Sequence, residues 1–337
     1  MLFRSGVRWT LYVAVMSILL VATMIVSLAT GEVSMSISDI VRASTDEGSV
    51  AYGILHYIRI PRTILGLAVG GSLSLTGAIL QGIYRNPLVE PYTLGISGGA
   101  SLGVTFAIVS GLQMLHVMLL PLAGFLGALA TMIAVYTLSI RRGAFDINRM
   151  LLTGVMISFV ASSSMMFLMS IAAVEEIHGI VFWTMGSLGE SNMALIATMM
   201  VAAVICLAVS YVFVTSLNAL RLGQSKARHL GIDTDAVIRI MFVVTSLLTG
   251  MCIAVAGIIG FVGLVVPHIM RRLVGSDYRI LLIASFVCGG IFLIICDVLA
   301  RIVVSPNELP IGVITGLVGG VAFIVILSRS KKKKTII

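Results

Sequence analysis

Charge is scarce in this chain of 337 residues: Asp, Glu, Lys and Arg make up 11% of it, against 59% hydrophobic residues and a mean hydropathy of +1.13. A soluble globular domain carries about 25% charged residues, so the balance excludes that class and indicates a polytopic membrane protein. The formal net charge is +8. The basic residues stand singly or in short clusters between apolar runs, not along one face, so they read as topology signals and no nucleic-acid partner is expected. Cysteine is scarce as well. Cys206, Cys252, Cys288 and Cys296 lie inside apolar runs without CxxC or Cys/His spacing. That pattern indicates neither a disulfide framework nor a metal site, and no cofactor is expected. No GxxxxGK[ST] segment occurs, so the chain has no P-loop with which to cradle ATP phosphates.

Long apolar runs are what it has instead. The first, 9–30, follows Arg4 and Arg8 and is too long for the h-region of a signal peptide, so it reads as a membrane span. Further runs lie at 63–83, 93–111, 115–140, 150–174, 193–217, 238–256, 260–269, 280–304 and 311–327. The expected fold is all-α, a single transmembrane domain over 1–337 with ten spans and both termini cytoplasmic. The seventh and eighth spans share the uncharged stretch 240–270, too long for one helix and short for two; Gly257, Gly260 and Gly263 supply a tight reversal between them. The positive-inside rule tests the parity. Ten spans place 18 of the 22 basic residues on the cytoplasmic side and leave only Arg42, Arg59, Arg62 and Arg301 outside, a bias that losing one member of that hairpin would scramble.

Several segments carry more than lipid contact. The longest inner loop, 218–238, reads as one or two short helices broken at Gly231, with an intermittent apolar face. Its composition suits the lipid headgroups and a groove on a soluble partner equally. Asp297 and Arg301 lie four apart in an apolar span, where they form a structural ion pair, or where Arg301 joins Arg59 and Arg62 in a basic outer mouth. The turn 84–91 stops a helix through Pro87, and Ser97, Gly98, Gly99 and Ala100 then open the next one for close crossing or for lining a cavity. Gly66 and Gly70, and Gly312, Gly316 and Gly320, fall at helix-packing intervals.

Two activities compete on these residues alone. Gly95-Ile96-Ser97-Gly98 fits the GxSG of rhomboid-type intramembrane serine proteases, with Ser97 as nucleophile and His268 as base, but a four-residue match is cheap in a glycine-rich chain. An ion-coupled secondary transporter needs a midplane ion site, and the one acid deep in a span, Asp297, already has Arg301 beside it.

The separated motifs RIPRTILG (59–66), GAILQGIYRNPLVEPYTLGISGGASLG (77–103), FWTMGSLG (182–189), SKARHLGI (225–232), AGIIGFVGLVVPHIMRRLVGSDYRILL (256–282), DVLAR (297–301) and ELPIGVITGLVGGVAFIVIL (308–327) stand in order along nearly the whole chain. Together they resemble the FecCD-type permeases, the membrane subunits of prokaryotic ABC importers for iron-siderophore complexes, haem and cobalamin. The resemblance implies a non-enzymatic homodimer of ten-helix subunits in the inner (plasma) membrane. Its partners would be two cytoplasmic ABC ATPase subunits, an external solute-binding protein, the lipid bilayer and a metal-chelate substrate. It further implies that Arg59, Arg62 and Arg301 dock the binding protein. Leu220, Arg221, Gly223, Ser225, Ala227, Leu230 and Gly231 would couple to the ATPase. The helix over 150–174 would line the path, with Ile147 and Asn148 in the turn before it as the inner gate.

Overall fold

The computed structural model of the chain describes residues 2–31, 35–43, 45–46, 48–141, 144–145 and 147–331. Of the basic residues counted above, Arg142 and Lys332 to Lys334 lie outside the described residues. The helices are α1 (Leu2–Ala29), α2 (Ile37–Ala43), α3 (Val50–Ile54), α4 (Ile60–Ile83), α5 (Ile96–Val109), α6 (Leu119–Ser139), α7 (Ile147–Ile171), α8 (Val174–Thr184), α9 (Met193–Val212), α10 (Val214–Leu220), α11 (Gln224–His229), α12 (Thr234–Ala256), α13 (Val262–Leu273), α14 (Tyr278–Ile302) and α15 (Ile311–Lys331). The fold is all-α, and a helix stands at each of the ten apolar runs. Among the described residues, seven helices are long and apolar enough to cross a membrane: α1, the continuous helix Val50–Ile83, α6, α7, α9, α12 and α14. The apolar parts of α5 and α15 are shorter, and α13 has 12 residues. A two-residue antiparallel ladder, Ile140 opposite Phe145 and Arg141 opposite Ala144, clips the turn between α6 and α7.

The bundle is built around α4, which is buried along nearly its whole length. Apolar side chains gain little by packing against each other rather than against lipid, so close backbone approach has to supply the attraction. The small residues of α4 permit it. A methyl at Gly70 would run into the Gly289 carbonyl of α14, and one at Gly77 into the Gly263 carbonyl of α13. Around α4 stand α14, α13, α9, α12 and α1, while α5 lies between α6 and α7; α12 joins the two groups.

Two expectations need correction. Of the three glycines only Gly257 takes part in the reversal after α12, with a φ of 69° and ψ of −157° that suit glycine and little else, and the left-handed Phe261 (φ 68°) completes it. Gly260 lies in open space, and Gly263 sits inside α13 against α4. Between Gly257 and α13 the chain is not helical: 258–260 have no regular structure and Phe261 is left-handed. The chain passes from beside Gly312, which abuts the Ile258 carbonyl, to beside Gly319, which abuts Phe261: seven residues, or about 10 Å, along α15. The eighth apolar run is therefore a half-length helix fed by a non-helical segment. The second correction is α8, which the sequence reading left out. Its first turn is capped by the Glu176 carboxylate accepting from the Ala173 N–H at 2.9 Å.

Candidate functional sites

At one end of the bundle the three arginines singled out from the sequence come together, facing inward. Arg59 is 4% exposed, Arg62 8% and Arg301 7%. The Arg62 Nε donates to Asp297 Oδ1 at 2.7 Å and its Nη1 to Glu308 Oε2 at 2.7 Å, while Arg301 Nε lies 3.1 Å from Asp297 Oδ2. Asp297, 1% exposed, thus bridges two guanidinium groups. A buried charge is tolerated only when it is paired and fully hydrogen-bonded, and this carboxylate meets both conditions. The remaining donors serve α1. Arg301 Nη1 donates to the Thr30 carbonyl at 2.9 Å and Nη2 to Ser27 Oγ at 3.1 Å, and Arg59 Nη1 donates to the Leu28 carbonyl. These lie at the C-terminal end of α1, where carbonyls lack helical partners and cations are favoured by the helix dipole. A π-helical turn over Leu55–Arg59 and Pro61 at the start of α4 bring Arg59 to that position. Sequence reasoning missed Glu308, Ser27 and Thr63, whose hydroxyl lies 2.9 Å from that of Ser27. Glu308 opens one of the quoted motifs and falls on the outer side in the ten-span reading, the two signals that it carried.

Beside the turn 84–91, the non-helical segment after Gly257 carries buried backbone groups that have to be satisfied by protein. The Tyr92 hydroxyl meets two of them, donating to the Ile259 carbonyl at 3.1 Å and accepting from the Ile259 N–H at 3.1 Å. The Ser187 N–H donates to the Ala256 carbonyl at 2.9 Å. The Glu90 carboxyl accepts from the backbone of Phe261, the residue that caps α13 with a φ of 68°; burial raises this acid above the ordinary glutamate range, and that hydrogen bond opposes the shift. The turn 84–91 and the residues just after it therefore do more than stop a helix.

At the opposite end, 218–238 forms two short helices, α10 continuing from before the loop and α11. The segment is broken at Gly231 (φ 82°), between α11 and the start of α12 at Thr234, and also at Gly223 (φ 108°), between α10 and α11. Leu220 and Ala227 are buried in the main core, Gly223 is half-buried, and Arg221, Ser225, Leu230 and Gly231 are exposed. Two outward leucines, Leu222 at 57% and Leu230 at 64% exposure, give the segment an apolar outer surface. Asn218, unforeseen, anchors it: its Nδ2 donates to Asp277 Oδ1 at 2.9 Å and its Oδ1 accepts from the Tyr278 N–H at 3.1 Å. Arg221 adds a bond to the Ser276 carbonyl. Ile147 and Asn148 form the first turn of α7, not the loop before it. Beyond them α7 is buried only at Met150, Gly154 and Ala161, and it exposes Leu152, Phe159, Val160, Met166 and Phe167.

Ser97 lies at the start of α5, beside Gly98, which approaches Ser158 of α7; His268 of α13 faces Phe323 of α15 edge-on at 6.2 Å. No hydrogen bond joins the two among the described residues, so they do not form a nucleophile and base. Asp297, held by two arginines, is not a free ion ligand either.

The model of the FecCD transport family matches residues 19–329. The hemin transport system permease protein HmuU of Yersinia pestis is 34% identical over 94% of this chain and 95% of its own. The vitamin B12 import system permease protein BtuC of Klebsiella pneumoniae is 35% identical over 97% of this chain and 96% of its own. Among solved structures, a metal-chelate type ABC transporter in an inward-facing conformation superposes with a TM-score of 0.83 at 29% identity, covering 95% of this chain and 99% of that one.

Proposed function

The chain belongs to the FecCD transport family, and from that premise we propose that it is the membrane-spanning permease subunit of a binding-protein-dependent ABC importer carrying a metal chelate inward. An iron-siderophore complex is the first choice, with haem and cobalamin, the cargo named for its relatives, as the others. The observation that carries the reading is the agreement of the family match over 19–329 with the fold match to an ABC transporter. The chain is not an enzyme. It has no P-loop, so the energy comes from a partner ATPase.

The proposed topology has ten spans, the seven long helices together with α5, α13 and α15, and puts both termini in the cytoplasm of a prokaryote. The α10–α11 segment is then cytoplasmic. Its firm anchorage through Asn218 and its outward Leu222 and Leu230 suit a groove on the ATPase, contacted around Leu220 to Gly231. The outer end docks an external solute-binding protein. Because Arg59, Arg62 and Arg301 are buried and already bonded, their part there is to hold the ends of α1, α4 and α14 in one docking surface and to set its field. A second copy packs along the exposed side of α7, which carries no charge between Met150 and Ile171 and lines a path gated at its inner end by Ile147 and Asn148. Nucleotide binding moves α10 and α11, and the two copies of α7 rearrange to open the path alternately to each side.

The experiment is uptake into proteoliposomes holding the permease, its ATPase and its binding protein, offered an iron-hydroxamate, haem and cobalamin in turn. ATP-dependent accumulation of one of them is expected; accumulation driven by an ion gradient without ATPase would overturn the reading. Arg59→Ala with Arg62→Ala should weaken docking of the binding protein, and undiminished docking and uptake would remove these residues from that role.

A further inference from the structure

A cleft of about 250 Å³ opens at the end of the bundle that carries α10 and α11, lined by Gln81, Gly82, Arg85, Pro87, Arg221 and Arg271. Three of its six lining residues are arginines, drawn from the turn after α4, the turn after α10 and the last turn of α13. No ion pair joins any of them to a carboxylate among the described residues. Arg271 Nη2 donates to the Ala78 carbonyl at 2.8 Å and Arg221 Nη1 to the Ser276 carbonyl, so two of the three are held in place by neutral acceptors, Arg271 also lying 5.9 Å from the centroid of the Tyr278 ring. The outer arginines are the reverse case, since two of them share a buried carboxylate.

Two unpartnered buried atoms on this lining specify the missing ligand further. The Nε of Arg271 is a donor without an acceptor. Gln81 is 2% exposed and commits its Nε2 to the carbonyls of Gly263 and Leu264, both at 3.2 Å, which leaves its Oε1 as an acceptor without a donor. The cleft therefore asks for an anion matching guanidinium geometry and, beside it, for a neutral hydroxyl donor. An ammonium group would satisfy Gln81 but would sit among three like charges.

We propose that this cleft binds a glycerol phosphate group, a phosphate that carries a free hydroxyl. It would be taken from the headgroup of an anionic lipid such as phosphatidylglycerol or from free glycerol phosphate. Basic pockets between membrane helices on the cytoplasmic side are where phospholipid headgroups are recognised. This end is cytoplasmic on the topology proposed above, so the lipid source rests on that reading. Arg221 belongs to both the cleft and the coupling segment, so occupancy would brace α10 against α4 and α13 where the ATPase pushes.

The test holds the full chain in phosphatidylethanolamine nanodiscs with and without phosphatidylglycerol and counts retained lipid by native mass spectrometry. A parallel arm adds glycerol 3-phosphate or inorganic phosphate to discs lacking phosphatidylglycerol and follows thermal unfolding. Retention of phosphatidylglycerol identifies the lipid source; a raised melting temperature with glycerol 3-phosphate alone identifies the free one. Either supports the site if Arg85→Ala, an exposed position whose truncation leaves the core intact, weakens binding about fivefold, the effect of one surface arginine, and Arg271→Gln also weakens it. Binding of neither ligand, or affinity unchanged in both variants, would overturn it. Leu88→Cys, in a chain whose four cysteines are replaced by alanine, tests the topology separately. Labelling by an impermeant maleimide only from the cytoplasmic side supports it, whereas labelling from outside removes the lipid argument on grounds independent of the binding result.

Discussion

At the scale of single residues, burial decides what a charge is worth. Asp297 compensates both Arg62 and Arg301, so Asp297→Asn strands Arg301 and leaves Arg62 only the half-exposed Glu308; it should cost about 3 kcal/mol, read as a lowered unfolding midpoint in detergent. Glu308 touches the same network with a side chain 53% exposed, and Glu308→Gln should cost less than about 1 kcal/mol in the same assay. Equal losses from the two would mean that the bridge is not the organising contact. The spacing of Asp297 and Arg301 made their pairing legible in the sequence. The entry of Arg62 and Glu308 was not legible, because those contacts join residues 235 and 246 positions apart.

At the scale of elements, the half-length α13 and the segment feeding it depend on side chains from the turn before α5. Glu90 holds its proton more tightly in the fold than in the unfolded chain. Its contribution to stability is therefore greatest at low pH and declines as pH rises from the ordinary glutamate value through the raised one. Glu90→Gln should remove that slope from melting temperatures measured across the range while keeping an acceptor for Phe261. The α10–α11 segment behaves differently, since its outward leucines hold nothing within the chain. Leu230→Ser should leave stability within about 0.5 kcal/mol yet weaken ATPase binding about tenfold, the worth of one buried leucine. A titration of ATPase against the nanodisc-held permease reads this, and an unchanged affinity would place the contact elsewhere.

At the scale of the whole molecule, the exposed, uncharged flank of α7 is surface that one chain leaves uncovered. If two copies bring their α7 helices together around a path, Asn148→Cys in a cysteine-free chain should cross-link to its copy through a short bifunctional maleimide. Uptake should then fall to the level seen without ATP. Cross-linking without loss of uptake would move the gate away from this turn.

Composition and hydropathy alone determined that the chain is helical and membrane-embedded and roughly where the helices of the ten apolar runs lie, because an apolar solvent forces backbone groups to pair within a helix and the apolar runs mark its length. The motifs determined the family. What only the tertiary structure decided is which polar groups find one another: that the arginines turn inward, and that Tyr92 and Glu90 sustain a break in the eighth run. In those places a residue's partner comes from a distant part of the chain, and the physical demand that a buried polar group be satisfied names the need without naming who meets it.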